Sequence, residues 1–292
     1  MSAKPFVKWV GGKTQLLPDI EHRLPSDFSR RDITYVEPFV GGGAVMFWIL
    51  QRYPNVQHAV INDINPRLIN VYRTIKASPY ELIESLTRLE EEYLPLSHEE
   101  RTAYFGEKRK RFNDFTLPLI ESATLFIFLN RTCFNGLYRE NAKGLFNVPH
   151  GRYARPKICD EATILANSKI LQRVEILCGD FSETIKYASQ NSLFYFDPPY
   201  KPLSETSSFN AYVKEPFDDV EQIRLRDFCH RVVERGSQFI LSNSDLKGKN
   251  PSDDFFDRLY EDYDISRVFA TRMVNAKADK RGKLTELLIS NF

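Results

Sequence analysis

Cysteine is scarce in this sequence of 292 residues, and the few cysteines form no recognisable pattern. Cys133, Cys159, Cys178 and Cys229 are widely spaced, and no C-x-x-C pair occurs. Structural zinc sites need clustered cysteine and histidine ligands, so the sequence argues against such a site and we expect no bound metal. We expect the thiols to be reduced, as they are in cytoplasmic proteins.

Long apolar runs and an excess of charge of either sign are also missing. No stretch approaches the length of a transmembrane helix, and the start, 1–5, lacks the apolar segment of a signal peptide. The 40 basic and 39 acidic residues give a formal net charge of +1, so a surface that binds nucleic acid must be a local one. The 42% of hydrophobic residues indicates a globular protein rather than a disordered one, and we expect it to be soluble and cytoplasmic.

Two nucleotide-binding motifs are present only in incomplete form. Gly11-Gly12-Lys13-Thr14 resembles the end of a phosphate-binding loop, but the full pattern needs a glycine where the sequence has Val7. The run 37–43, Glu-Pro-Phe-Val-Gly-Gly-Gly, differs from the G-x-G-x-x-G pattern of dinucleotide sites. The acid Glu37 beside the glycines favours a ligand that carries a cation or an amine over one that carries a pyrophosphate. A purely structural turn is the alternative.

Short apolar runs that alternate with helix patterns indicate an α/β fold. A strand pattern over 34–36 leads into the glycines 41–43 and an apolar helix pattern over 44–50, and a second strand pattern over 59–61 ends at Asp63. That acid lies about 20 residues beyond the glycine turn, which is the spacing of a βαβ nucleotide site. Further strands are predicted over 174–177, 193–196 and 238–243, with an alternating edge-type strand over 284–290 and helices over 15–24 and 220–235.

The segment between the second and third predicted strands has a different character. From Pro66 onward it is charged and mostly helical, and its last part, 130–157, is rich in loops and basic residues. We therefore predict one α/β core, formed by 1–65 and 158–292, that is interrupted by a mainly helical domain over 66–157.

The fourth predicted strand ends in Asp197-Pro198-Pro199-Tyr200. The carboxylate of Asp197 can accept a hydrogen bond from an exocyclic amine, and the ring of Tyr200 can stack on a flat base. The prolines lack N–H groups, so carbonyl acceptors dominate their surroundings. Because prolines also end many ordinary strands, this tetrapeptide alone does not establish a catalytic site.

The basic stretch 130–157 combines positive charge with aromatic rings and amides. It is either an ordinary solvated surface or a nucleic-acid surface, since arginines can read guanine, amides can read adenine and rings can wedge between bases. The mixture favours the second interpretation. The residues are Arg131, Arg139, Lys143, Arg152, Arg155 and Lys157, with Phe134, Asn135, Tyr138, Phe146, Asn147 and Tyr153, against the single acid Glu140.

Six motifs follow one another along the chain: Lys-Trp-Val-Gly-Gly-Lys, Glu-Pro-Phe-Val-Gly-Gly-Gly, Asn-Asp-Ile-Asn, Asn-Arg-x-x-Phe-Asn-Gly-Leu-Tyr-Arg, Phe-Asn-Val-Pro-x-Gly-Arg-Tyr and Asp-Pro-Pro-Tyr. In this order the sequence resembles the Dam-type DNA adenine-N6 methyltransferases of the α group, including restriction–modification members that modify GATC. The resemblance covers nearly the whole chain. It implies a Rossmann-like core that uses S-adenosylmethionine, and a helical domain that reads double-stranded DNA.

The resemblance also implies roles for individual residues. Asp197, Pro198, Pro199 and Tyr200 would form the catalytic loop that receives a flipped-out adenine, and Asp180 would lie near the adenine of the donor. Phe134 would wedge into the duplex, although some relatives carry tyrosine there, and Arg139 would read guanine. The other expected donor contacts are Lys8, Trp9, Lys13, Glu37, Phe39, Gly41, Gly43, Asp63 and Asp197, and the other expected DNA contacts are Lys8, Arg131, Asn135, Leu137, Pro149, Arg152 and Tyr153.

Several alternatives stay open at the level of sequence. The same chemistry could act on RNA or on a protein amide, or the fold could bind DNA without catalysis. GATC is inferred from Arg139, Leu137 and Pro149, and a longer site that contains GATC is not excluded. We further expect a monomer associated with the nucleoid through DNA, and consider a companion restriction endonuclease. The loop 201–217 is predicted to fold over substrate, and the basic residues Arg272, Lys277, Lys280, Arg281 and Lys283 to meet phosphates or to form a solvated hairpin.

Overall fold

The computed structural model describes residues 2–201, 217–271 and 283–292, and these form an α/β structure around one mixed sheet. The strand order is β3-β2-β1-β4-β5-β7-β6. The first five strands are parallel where they pair, whereas β7 is antiparallel to both β5 and β6. The strands are β1 Thr34–Glu37, β2 His58–Ile61, β3 Val174–Ile176, β4 Ser192–Phe196, β5 Gln238–Ser244, β6 Asp264–Thr271 and β7 Lys283–Ser290.

The chain reverses its direction of travel across the sheet between β1 and β4. From β1 it moves outward through β2 to β3, then returns to β4 on the other side of β1 and continues to β5. In open α/β sheets, ligands bind at the carboxyl ends of the strands beside such a switch point. The predicted Rossmann-like α/β core is therefore confirmed, and the candidate site is expected beside Glu37 and Asp197.

The parallel strands read as apolar runs because both of their faces are covered. Tyr35 and Tyr195 point into one hydrophobic core, and the residues next to them, Val36 and Phe194, point into a second core on the other face. The register sets Val36 opposite Phe194 on the neighbouring strand. Strands buried on both sides show no polar alternation, which explains why continuous apolar runs predicted them correctly.

The helical segment, 66–157, lies between β2 and β3 and contains α3–α6 and the loops that follow them. Its first helix is capped by Asn65, whose side chain accepts hydrogen bonds from the backbone of Arg67 and Leu68. Helix α3 packs on α6 and also on β3 and α7, and the proposed domain bounds of 66–157 stay a prediction. The helices are α1 Leu17–His22, α2 Ala44–Arg52, α3 Pro66–Ala77, α4 Pro79–Tyr93, α5 His98–Phe112, α6 Leu119–Thr132, α7 Glu161–Leu171, α8 Asp219–Glu234, α9 Leu246–Lys249 and α10 Phe255–Leu259.

The prediction that the last strand is an edge strand was wrong. Strand β7 lies between β5 and β6, and Leu287, Leu288 and Ile289 are consecutively buried. The error arose because β6 was not predicted, although this strand pairs with β7 along its whole length and covers the edge. Within the described residues, no helix is both long and apolar enough to cross a membrane.

We expect Gly43→Ala to lower the free energy of unfolding by about 1–3 kcal/mol. Gly43 precedes α2 with a φ of +72°, and an added Cβ would lie 2.5 Å from the hydroxyl oxygen of Tyr72. Gly106 is the matched control, because it lies inside α5 and, among the described residues, no atom outside its own stretch of helix lies within 4 Å of an added Cβ. Gly106→Ala should instead raise the stability by about 0.5–1 kcal/mol. Urea denaturation measures both changes, and equal effects would contradict this account of Gly43.

Candidate active site

Four carboxylates gather at the carboxyl edge of the parallel strands. Glu37 ends β1 and Asp197 directly follows β4, while Asp63 and Asp180 follow β2 and β3. Because the carboxyl ends of neighbouring parallel strands meet at one edge, the fold brings these four predicted residues together. Such a set suits a ligand that carries positive charge, hydroxyl groups and amines.

Glu37 is the most deeply buried of the four acids, with 2% of its surface exposed. The hydroxyl of Tyr35 donates a hydrogen bond to its Oε2 over 2.7 Å. Burial raises the pKa of Glu37 well above its ordinary value, and the charge of Asp197 acts in the same direction, while the Tyr35 bond opposes the shift. The environment of Glu37 therefore favours a neutral carboxyl unless a cation binds nearby.

Asp63 ties the end of β2 to the glycine turn. Its Oδ2 accepts from the backbone N–H of Gly41 at 3.0 Å, and its Oδ1 accepts from the N–H of Asn65 at 2.9 Å. Burial raises the pKa of Asp63, and these backbone bonds counteract part of the effect.

The neighbouring Asn62 joins three strand ends. Its Nδ2 donates to the carbonyls of Pro38 and Gly179 at 3.1 and 2.9 Å, after β1 and β3 respectively. Its Oδ1 is buried and has no hydrogen-bond partner within the part of the chain that the structure describes. A buried acceptor without a hydrogen bond lowers the stability of the folded protein, so a hydrogen-bond donor on a ligand at this edge would be stabilising.

The glycine turn is shaped by two aromatic side chains that pack against it. A Cβ on Gly41 would lie 2.7 Å from Cδ1 of Trp9, and the hydroxyl of Tyr72 donates to the Gly41 carbonyl at 2.9 Å. Trp9 also stacks on Tyr138 with 5.6 Å between ring centres. Glycine is therefore needed at 41 for the close approach of Trp9, which links the turn to the helical segment.

Asp197 forms an ion pair with Lys13. The Nζ of Lys13 lies 2.7 Å from Oδ1 of Asp197 and also donates to the carbonyl of Gly11 at 2.6 Å. Ser242 on β5 donates to the same carboxylate oxygen at 3.1 Å. Burial raises the pKa of Asp197, while Lys13 and Ser242 favour its charged form.

Tyr200 and the main chain beside it are held from the far half of the sheet. The Tyr200 hydroxyl donates to Oε2 of Glu286 at 2.7 Å. Nε2 of Gln222 donates to the Pro199 carbonyl at 3.2 Å, and Ser244 donates to the carbonyl of Lys201 at 2.8 Å. The segment 197–201 is thus anchored by protein contacts at four of its positions, counting those of Asp197.

Beyond β3, Asp180 is held by Arg224 next to a group of aromatic rings. Two guanidinium nitrogens donate to its two oxygens at 2.9 and 2.7 Å, and this pairing lowers the pKa of Asp180 to about 2. The ring of Phe39 lies 5.2 Å from that of Phe181 and 5.7 Å from that of Phe217. A carboxylate beside aromatic faces can hold a flat heterocycle that bears an amine.

A second group of predicted residues lies together on the helical segment. Phe134 is 52% exposed on a short 3₁₀ turn, and its N–H donates to the Pro149 carbonyl at 2.8 Å. Asn135, next to it, has a φ of 57°. Lys8 Nζ lies 5.3 Å from the centre of the Tyr153 ring. This face therefore joins five of the predicted DNA-contacting residues.

The remaining predicted DNA-contacting residues differ in their surroundings. Nε of Arg139 donates to Oδ1 of Asn147 at 2.8 Å. Leu137 packs against the hydrophobic core, and Arg152 is exposed with a φ of 57°. Arg131 donates to the carbonyl of Phe6 at 2.7 Å with its Nε buried, so the structure does not bring it to the exposed face.

Several residues of the site were not predicted from sequence, namely Ser242, Gln222, Glu286, Phe181 and Arg224. Only Glu286 leaves a local signal, because it is an acid within the apolar run of β7. The others are found only through contacts across the sheet.

Two further expectations concern segments that lie outside the described residues. The loop predicted to cover substrate falls there over 202–216, and so does most of the basic stretch that begins at Arg272. Within the described residues, no group of three or more His, Cys, Asp and Glu side chains is placed to hold a metal ion.

Comparisons with known proteins give one consistent result. The model of the family described as D12 class N6 adenine-specific DNA methyltransferase matches residues 9–274. The chain is 47% identical over 296 residues to the type II methyltransferase M.MjaIII of Methanocaldococcus jannaschii, covering 100% of both chains. It is 40% identical to the type II methyltransferase M1.LlaDCHI of Lactococcus lactis, covering 100% and 96%. It is 34% identical to a DNA adenine methylase of Vibrio cholerae, covering 98% and 95%.

We expect Lys13→Met to raise the pKa of Asp197 further, because the substitution removes the cation that opposes the effect of burial. The carboxylate would then ionise only at higher pH. The ¹³C carboxyl resonance of Asp197, assigned by its loss in Asp197→Asn, reports this pKa directly. Lys13→Arg keeps the charge and is the control. An unchanged pKa in the Met variant would contradict the proposed effect of the ion pair.

Proposed function

The chain belongs to the D12 class N6 adenine-specific DNA methyltransferase family, and we propose that it methylates the adenine of 5'-GATC-3' after flipping that base out of the duplex. Enzymes of this family transfer a methyl group from S-adenosylmethionine to adenine in DNA. One observation carries the proposal for this chain. The nitrogen of Lys13 lies 2.7 Å from Asp197 and 4.4 Å from the centre of the Tyr200 ring, so the pocket accepts a nitrogen donor between a carboxylate and an aromatic face.

The residues at the strand edge fit S-adenosylmethionine. Asp63 would accept from ribose hydroxyls, Asp180 would lie by the adenine amine, and the acids beside the glycine turn would face the positive groups of the donor. Oδ1 of Asn62, which has no hydrogen-bond partner among the described residues, would accept a hydrogen bond from a donor group of S-adenosylmethionine at the same edge. When bound, S-adenosylmethionine supplies an electrophilic methyl group. The other residues that we propose around it are Lys8, Trp9, Lys13, Glu37, Phe39, Gly41, Gly43 and Asp197.

Asp197 and Tyr200 are proposed to orient the target adenine. The amine of a paired adenine cannot be reached, so the base must leave the stack before it enters the pocket. Asp197, in its ionised form, and the Pro198 carbonyl accept the two amine hydrogens, and Tyr200 stacks on the ring. Because these groups direct the nitrogen lone pair toward the methyl group, positioning and electrostatic stabilisation account for most of the catalysis.

Sequence recognition is proposed for the exposed face of the helical segment. Among the described residues Arg139 hydrogen-bonds through its Nε, to Asn147, and we propose that its two terminal nitrogens pair with guanine. Phe134 is exposed enough to enter the space that the flipped base leaves. Lys8, Asn135, Leu137, Pro149, Arg152 and Tyr153 are proposed as further contacts, and Arg131 would need to release the Phe6 carbonyl to join them.

The biological setting is proposed from the relatives. Two of them, including the one with 47% identity, are named type II methyltransferases, whereas the Vibrio cholerae relative is named a DNA adenine methylase. We infer a role in a restriction–modification system, with a companion endonuclease, for an enzyme that acts as a monomer. Sequencing of methylated positions in DNA from cells that express the protein tests both the site and the base.

We predict that Asp197→Ala lowers turnover by at least about 100-fold, because it removes an acceptor that orients the amine in the transition state. Binding of S-adenosylmethionine should change much less than turnover, because Asp197 is only one of the residues that we propose around the donor. Single-turnover transfer of a labelled methyl group to a GATC duplex measures the rate, and calorimetry measures donor binding. Asp262→Ala, at an exposed aspartate, is the control. Near-normal turnover of the Asp197 variant would remove Asp197 from the mechanism.

We predict that Arg139→Ala relaxes sequence choice, because a bidentate arginine–guanine pair contributes about 1–3 kcal/mol to discrimination. The dissociation constants for GATC and for duplexes with one changed guanine should converge when they are measured at one salt concentration. Arg152→Ala is the comparison: we propose that the exposed Arg152 contacts a phosphate, and loss of a phosphate contact weakens binding to all sequences alike. If Arg139→Ala behaves in the same way, Arg139 contacts only the backbone of the DNA.

A further inference from the structure

The hydroxyl of Tyr200 is held by an acid from a distant part of the chain. Its donor bond to Oε2 of Glu286 is 2.7 Å long. Glu286 lies on β7, where it is opposite Ser244 of β5 and Val268 of β6. Because β7 is paired on both sides, the carboxylate rests on a rigid part of the sheet.

The face of the same ring is occupied by a cation. Nζ of Lys13 lies 4.4 Å from the ring centre, which is within the range of a cation–aromatic contact. The hydroxyl of Tyr200 therefore contacts the negative carboxylate of Glu286, and a face of its ring contacts the positive ammonium group of Lys13. A phenol that donates to a carboxylate has a more electron-rich ring, so the two contacts reinforce one another.

We infer that Glu286 is a positioning residue for methyl transfer: it fixes the orientation of Tyr200 and strengthens the attraction of the ring for positive charge on the target base. The inference rests on the proposed role of Tyr200 as the ring that stacks on adenine. The target nitrogen forms its bond to the methyl carbon with its lone pair, the carbon–sulfur bond breaks with the electron pair staying on sulfur, and the base remains positive until it loses an N6 proton to solvent. The base would stack on the face of the ring that Lys13 does not cover, where that charge would develop.

The phenol is suited to remain the donor in this pair. Burial raises the pKa of Tyr200 well above its ordinary value, and the charges of Asp197 and Glu286 raise it further. The hydroxyl therefore keeps its proton at neutral pH and continues to point at Glu286. It does not compete with Asp197 for the amine of the base.

Other residues hold the main chain of the loop, so the effect of Glu286 can be separated from theirs. Gln222 binds the Pro199 carbonyl and Ser244 binds the Lys201 carbonyl, while Asp197 is held by Lys13 and Ser242. The hydrogen bond to Glu286 is made by the Tyr200 hydroxyl, while the charge of Glu286 also raises the pKa of Asp197. Loss of Glu286 should therefore disturb the stacking ring and leave the acceptors of the loop in place.

A double-mutant cycle tests the inference. Glu286→Ala should slow single-turnover methyl transfer to a GATC duplex about 10-fold, while the dissociation constant for S-adenosylmethionine changes less than about 2-fold. Glu286→Gln keeps an acceptor but loses the charge, so its rate should fall between those of Glu286→Ala and the wild type. In the Tyr200→Phe background, Glu286→Ala should cause no further loss. Glu261→Ala, at an exposed acid, is the control for the removal of a carboxylate.

The outcomes separate this inference from the proposed function. If the losses of Glu286→Ala and Tyr200→Phe multiply, or if both Glu286 variants transfer methyl at the wild-type rate, the role of Glu286 is overturned while the methyltransferase mechanism stands. A wild-type rate for Tyr200→Ala would remove the proposed role of Tyr200 and the inference with it. Because Glu286→Gln preserves size and shape, it remains informative even if the alanine variant folds poorly.

Discussion

The ion pair between Lys13 and Asp197 is the interaction on which the arrangement of the site depends. A carboxylate at the end of a fully buried strand loses hydration, and burial alone would favour its neutral form. A neutral carboxyl could accept less well from an amine. Lys13, with only 6% of its side chain exposed, offsets that loss at 2.7 Å and brings the N-terminal segment onto the carboxyl edge of the sheet.

The same N-terminal segment connects the two proposed activities. Lys8 exchanges two backbone hydrogen bonds of 2.9 Å with the side chain of Asn130, beside the exposed turn that carries Phe134. Trp9 lies between Gly41 and Tyr138, and Lys13 reaches Asp197. The six consecutive positions 8–13 thus contact the helical segment, the glycine turn and Asp197.

The segment 197–200 is held in place by partners on β5, β7 and α8, in the half of the sheet beyond β4. Asp197 is bonded to Ser242 of β5, the Pro199 carbonyl to Gln222 of α8, and Tyr200 to Glu286 of β7. Gln222 is itself buried and accepts from Asn243 at 3.1 Å. A buried polar network whose hydrogen bonds are all made holds its side chains in one geometry. The segment 197–200 therefore needs little further ordering when a ligand binds.

The sequence by itself determined the features that depend on neighbours along the chain. We predicted the apolar runs of β1 and β4, the glycine turn at 41–43 and the acids that follow the strands. These features could be predicted because strand burial and turn geometry depend on residues that are close together in the sequence. Only the tertiary structure decided which residues face one another. It placed β7 inside the sheet, set Glu286 against Tyr200, and turned Arg131 toward Phe6 rather than toward the exposed face. Strand order and register select such partners across many intervening residues, and no local pattern of residues encodes them.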